Sequence, residues 1–161
     1  MKKIQYLLPG HFLIVKDREG IVETVLGSCV CVILQSRDHS VAGLCHSLLP
    51  SAPDIADADM SPPATFINRA LPLLLEKLRA EGYEPGDLTA GLFGGGRVIS
   101  LQIPRHDVAH ANIRAAHNWL SYHGISITAQ DTGSDVVRKV VYNAATGQTI
   151  SSWLPGEARA S

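Results

Sequence analysis

Cys29 and His46 are the two residues whose types and spacing could do chemistry together. Cys29 lies in LGSCV (26–30) and His46 in VAGLCHSLLP (41–50), seventeen positions later. A thiol attacks a carbonyl carbon only as its thiolate, so a nucleophilic cysteine needs a neighbour that takes its proton. His46 stands on the apolar run that follows the cysteine, and antiparallel pairing of the two runs would bring the side chains close. The other six histidines fall in predicted turns or on a predicted helix that no cysteine follows. Gly27 and Ser28 let the chain bend just before the sulfur and bare backbone N–H groups beside it, the donors that an oxyanion needs. The Gly94–Gly96 turn is a second source of such donors.

Each of these residues also has a plainer reading. Free cysteine usually packs as a small hydrophobe, and Cys31 and Cys45, inside apolar runs with no motif around them, are read that way. Strand alternation sets Cys31 on the face of Cys29 only if the strand runs straight past Gly27, and it points Cys45 away from His46. Cys29, Cys31, Cys45 and His46 match a Cys₃His zinc site in number, but not the paired C-x₂₋₄-C spacing of structural zinc, so no metal is expected. FGGG (93–96) lacks the G-x-x-x-x-G-K-[ST] spacing of a phosphate loop and reads as a tight turn. Asp131-Thr132-Gly133 reads as turn chemistry, and no cofactor is implied.

The elements that must position these groups follow from the rest of the chain. Its 161 residues, 45% hydrophobic and 18% charged, suit a single domain over residues 1–153 with a loose tail at 154–161. A net charge of −1 gives no reason to expect nucleic acid, and no run approaches the roughly 20 apolar residues of a membrane span. Gln5 and Pro9 interrupt the start too early for a secretory signal, and three cysteines, an odd count, fit a cytoplasmic protein with free thiols. HFLIV (11–15), IVETVLGSCVCVILQ (21–35) and VAGLCHSLLP (41–50) are predicted strands, the last two an antiparallel pair with a bulge or bend at Gly27. The first predicted helix is 64–82, capped by Ser61, kinked at Pro72 and stopped by Gly82; the second is 106–124. TAGLFGGG (89–96) and three runs after Gly124 add strands, for about seven in all. The expected fold is an α/β sandwich of mixed, largely antiparallel strands with two main helices.

In order, LGSCV, VAGLCHSLLP, FGGG, Asn112 and DTGSDVVRKVVYNAATG (131–147) resemble the motifs of the CheD family of chemoreceptor glutamine deamidases, over roughly residues 10–150. The resemblance implies a fold similar to the necrotizing-factor toxin deamidases. It implies removal of ammonia from chosen glutamines in the cytoplasmic helices of methyl-accepting chemotaxis receptors; the thiol and imidazole read above would do this through a cysteine thioester. It also implies binding to the chemotaxis phosphatase CheC. Carried over by position, the nucleophile falls on Cys29 and the general base on His46. The family's third residue is a threonine six positions before the nucleophile, where this chain has Glu23, with Thr24 beside it. Either Thr24 takes the role after a shift in the strand, or Glu23 replaces it. A carboxylate there would orient the imidazole, whereas against the sulfur it would disfavour the thiolate.

Ala111 stands where the family carries Arg, Ser134 where it carries a second Gly, and Thr65-Phe66 where it carries Arg-Tyr, which marks a divergent member. Glu23 motivates a rival reading, a non-catalytic CheD-like protein that binds receptors or CheC. Alkylation separates the two, because a poised thiolate reacts well below the pH of an ordinary thiol. Another cysteine amidase or a transglutaminase-like acyl transferase on the same scaffold, and a zinc module, are the remaining alternatives.

Overall fold

The computed structural model describes residues 2–52, 59–97 and 107–155. Among them, nine strands build two sheets. Strands β1 (Lys3–Tyr6), β3 (Gly20–Leu26), β8 (Val137–Asn143) and β9 (Gln148–Leu154) make a four-stranded sheet in the order β1-β3-β8-β9. Strands β2 (Phe12–Val15), β5 (Ala42–Ser47), β4 (Val30–Ser36), β6 (Leu88–Gly94) and β7 (Ser126–Thr132) make the other, in that order. The pairs β1/β3 and β6/β7 are parallel and the rest antiparallel. Helix α1 (Ile67–Ala80) follows β5, and helix α2 (Val108–Tyr122) is the crossover that the parallel pair β6/β7 requires. The expected α/β sandwich with two main helices is the observed one, with nine strands rather than about seven.

The five-stranded sheet is the middle layer, which is why β4 and β5 are buried almost continuously instead of alternating. On one face Val30, Val32, Leu34 and Cys45 pack with Leu71, Leu74 and Leu78 of α1 and Ala116 and Leu120 of α2. On the other, Cys31, Ile33, Leu44 and Phe93 meet Val22, Leu26, Val140 and Tyr142 of the four-stranded sheet. The outer face of that second sheet leaves Ile4, Tyr6, Val25 and Ile150 exposed. No helix among the described residues is long and apolar enough to cross a membrane.

Three local expectations change. The run 21–35 is two strands in different sheets, because the bend at Gly27-Ser28 carries the chain across the sandwich. The interrupted N-terminus forms β1, held beside β3 by parallel pairing. Helix α1 starts after Phe66, not at a Ser61 cap. It also runs unbroken through Pro72, whose missing N–H orphans only the Asn68 carbonyl, on an exposed residue where water can replace the bond. Gly82 and Gly124 do end the helices, in left-handed conformation with φ of 95° and 67°. Of the expected tail, Leu154 closes β9 and residues 156–161 lie outside the described residues, as do His106 and much of the loop at 51–63.

Candidate active site

Cys29 is the first residue past the bend that joins β3 to β4. In the β4/β5 register Cys31 lies directly opposite His46, so Cys29 is its diagonal neighbour on the same face. Cys29 does share that face with Cys31, packing against the core between the sheets while remaining partly exposed. His46 is only 2% exposed. Diagonal neighbours lie roughly 7–8 Å apart on a sheet, and no hydrogen bond joins the thiol to the imidazole among the described residues.

The imidazole is held from its other side. Thr24 Oγ1 lies 2.8 Å from His46 Nδ1 and 2.7 Å from the Leu7 carbonyl. A hydroxyl has one proton and a carbonyl can only accept, so that proton goes to Leu7 and the oxygen accepts from Nδ1–H. The lone pair of the neutral ring is thereby assigned to Nε2. Leu7 is in place because its own N–H continues the β1/β3 pairing to the Glu23 carbonyl at 2.9 Å. Glu23, one residue along, faces the opposite side of β3 and pairs with Lys139 at 3.7 Å. Of the two candidates for the third role, Thr24 is brought to His46 and Glu23 is not.

Three consecutive carbonyls at the bend are tied into the body of the protein. Gly96 N–H donates to Gly27 O at 2.9 Å and Gly95 N–H to Cys29 O at 2.8 Å. Asn112 Nδ2 donates to Ser28 O at 3.1 Å. The FGGG stretch is glycine because its bare backbone seats here: Gly94 has a φ of 107°, and a Cβ on it would collide with the Cys29 carbonyl. The N–H groups of Gly95 and Gly96 are thus already engaged, which corrects the expectation that this turn supplies oxyanion donors. The Ser28 and Cys29 N–H groups, by contrast, donate to no backbone acceptor among the described residues. The Cys29 N–H lies against its own sulfur, where it favours the thiolate.

Burial outweighs that contact and pushes the Cys29 thiol above its ordinary value of about 9. Burial also lowers His46 to about 4, with the Leu7 carbonyl pulling the other way. At neutral pH the two groups are therefore a thiol and a neutral imidazole. Cys31 is fully buried, and its thiol is pushed up by burial first and by Cys45 second. Cys45 packs on the helix side of β5, away from His46, so the four groups counted for zinc do not converge.

The turn at 131–133 does more than reverse the chain. Buried Arg138 donates through Nη2 to Gly133 O at 2.7 Å and to Asp131 at 3.2 Å, which links the two sheets. Ser134 keeps a left-handed φ of 61°, the conformation that glycine at this family position adopts without strain. It lines a cleft of about 310 Å³ with Gly95, Arg97 and His110.

Comparison with known proteins bears on the family rather than on the roles of these residues. The family model described as CheD chemotactic sensory transduction matches residues 48–152. A probable chemoreceptor glutamine deamidase CheD of Methanococcus maripaludis strain C6 is 33% identical over 141 residues, covering 88% of this chain and 89% of that protein. Another of the same description, from Halorhodospira halophila, is 34% identical over 152 residues, covering 92% and 68%. Stretches of that length take in positions 29 and 46, which the family-model match does not. A Neisseria meningitidis protein of the family model DUF152 superposes with a TM-score of 0.49 at 11% identity, over 84% of this chain and 65% of that one, too loosely to argue from. On the family-model match and on relatives a third identical over most of their length, the chain belongs to the CheD family.

Proposed function

We propose that this protein deamidates glutamine side chains of methyl-accepting chemoreceptors to glutamate, with Cys29 as nucleophile, His46 as base and Thr24 as the residue that orients His46. The observation that carries the reading is the chain Leu7 O···Thr24 Oγ1···His46 Nδ1, which leaves Nε2 as the one basic atom on the face shared with Cys29. His46 Nε2 takes the Cys29 proton as the sulfur bonds to the carboxamide carbon. The carbonyl oxygen, now negative, is received by the Ser28 and Cys29 N–H groups. His46 returns the proton to the nitrogen, the C–N bond breaks and ammonia leaves a thioester. Water, deprotonated by His46, splits the thioester; the proton returns to sulfur and glutamate is released.

Magnitudes decide whether a resting thiol is compatible with this chemistry. With Cys29 above 9 and His46 near 4, the thiolate–imidazolium pair lies about 7 kcal/mol or more above the neutral pair before their mutual attraction. A turnover of about one per second allows a barrier of about 17 kcal/mol. The transfer fits within that barrier, so no thiolate need be poised. The substrates are receptor cytoplasmic helices, and CheC is the second partner, detectable by co-purification. The relatives' printed description as probable chemoreceptor glutamine deamidases supports the substrate class. The test is mass spectrometry of receptor cytoplasmic fragments incubated with the protein or with Cys29→Ala. Glutamine-to-glutamate conversion by the unaltered protein alone is expected; equal conversion by both, or none by either, overturns the proposal.

A further inference from the structure

We infer that Asn112 is a positioning residue for the oxyanion site, setting the Ser28–Cys29 peptide so that the Cys29 N–H faces the reacting carbonyl; this rests on the deamidase reading above. Asn112 sits on α2, wholly buried, and both protons of its Nδ2 are used. One goes to Ser28 O at 3.1 Å and the other to Leu48 O at 2.9 Å. These carbonyls flank the two reacting groups: Ser28 precedes Cys29, and Leu48 follows His46 by two residues. A single side chain thus clamps the turn that bears the thiol to the strand end that bears the base.

The peptide plane carries the consequence. In a trans peptide the C=O and N–H point in opposite directions. Ser28 O belongs to the same planar unit as Cys29 N–H, so drawing the oxygen toward α2 turns the N–H the other way, to the side of the sulfur. Donation to the oxygen also polarises the unit and strengthens its N–H as a donor. Gly96 N–H does the same for the preceding unit through Gly27 O, but from backbone. Among these ties, the Ser28 tie alone depends on a side chain.

A second observation separates this role from packing. Asn112 Oδ1 is buried with no hydrogen-bond partner among the described residues, a cost that an apolar side chain of the same volume would avoid. Its neighbours on the buried stripe of α2 are Ala109, Ala116 and Leu120. An amide in that stripe makes sense through its Nδ2 donors.

The test uses Asn112→Leu, which keeps the number and branching of heavy atoms and removes the donors, and Asn112→Ser as a milder variant. Three quantities are read: deamidation kcat and KM on receptor fragments, the alkylation rate of Cys29 at pH 8, and the thermal midpoint. Expected are a ten- to hundredfold fall in kcat with KM within about twofold, and alkylation about three- to tenfold slower because the N–H no longer steadies the thiolate. A folded variant with unchanged kcat and unchanged alkylation overturns the inference, as does a kcat loss that only follows the folded fraction. If the unaltered protein fails to deamidate, the function proposal falls. The alkylation comparison still judges Asn112: slower alkylation in the variant supports it and equal rates overturn it. Should neither variant fold, the Cys29 amide proton of the unaltered protein is followed by NMR while a peptide carrying an aldehyde in place of the carboxamide adds to the sulfur. A downfield shift is expected, and its absence overturns the role.

Discussion

Thr24→Val removes one hydroxyl and keeps the shape of the side chain, so it isolates what Thr24 does for His46. Two hydrogen bonds go at once, to the Leu7 carbonyl at 2.7 Å and from His46 Nδ1 at 2.8 Å. Losing the first costs about 0.5–1.5 kcal/mol, and stranding a buried N–H costs a further 1–3 kcal/mol or so. The fold should therefore lose about 2–4 kcal/mol. The second penalty falls only on the tautomer that carries its proton on Nδ1, the one whose Nε2 can accept from Cys29. At about 1.4 kcal/mol per factor of ten, the active tautomer becomes roughly five- to 150-fold rarer relative to the alternative. The expected result is a fall of that size in kcat for receptor-fragment deamidation, followed by mass spectrometry, with KM nearly unchanged. Thr24→Ser, which keeps the hydroxyl, should recover most of the rate. Glu23→Gln is the matched control: its pair with Lys139 is 3.7 Å long and partly exposed, worth at most about 1 kcal/mol. It should leave the rate within twofold. A Thr24→Val rate within twofold of the unaltered protein, or a larger loss in Glu23→Gln, refutes the tautomer reasoning.

Three further outcomes follow from the same geometry. The pH profile of kcat/KM should be flat through neutrality and fall on the acid side near pH 4, where His46 protonates; an acid limb near 6.5 would mean the imidazole is not desolvated as described. Stability should track the same residue. His46 titrates at about 4 when folded and 6.5 when unfolded, so its contribution is complete above pH 6.5 and about 3 kcal/mol is lost as pH falls to 4. Urea midpoints across that window should show this slope, and His46→Gln should flatten it. Gly94→Ala should destabilise by about 2 kcal/mol or more, since φ is 107° and the new methyl meets the Cys29 carbonyl, while Gly86→Ala, with nothing within 4 Å, should stay within about 0.5 kcal/mol in thermal unfolding.

That Cys29 and His46 share one face was legible, because each stands in a distinctive local pattern and two adjacent apolar runs pair in few ways. The third residue was not, and the reason is parity. On β3 the inward set is Val22, Thr24 and Leu26, and the outward set is Ile21, Glu23 and Val25. Both sets are apolar apart from one residue each, because among the described residues no helix covers the outer face of the four-stranded sheet and Val25 is simply left half exposed. Alternation therefore did not say which side faced His46, and counting back from Cys29 across Gly27 failed because the bend there moves the chain into another sheet. Desolvation supplies the missing criterion. A carboxylate buried beside a neutral imidazole would be uncompensated, whereas a threonine hydroxyl can accept from the ring and donate to a carbonyl in the same place. The acceptor of that donation, Leu7 O, belongs to a buried residue directly after β1, a strand exposed along its length and paired in parallel with β3. Asn112 and the glycine turn were visible as motifs, but their work is done on backbone carbonyls, which carry no signature in the sequence. Side chains that react announce themselves by type; groups that hold a peptide plane in place are found only when the plane is seen.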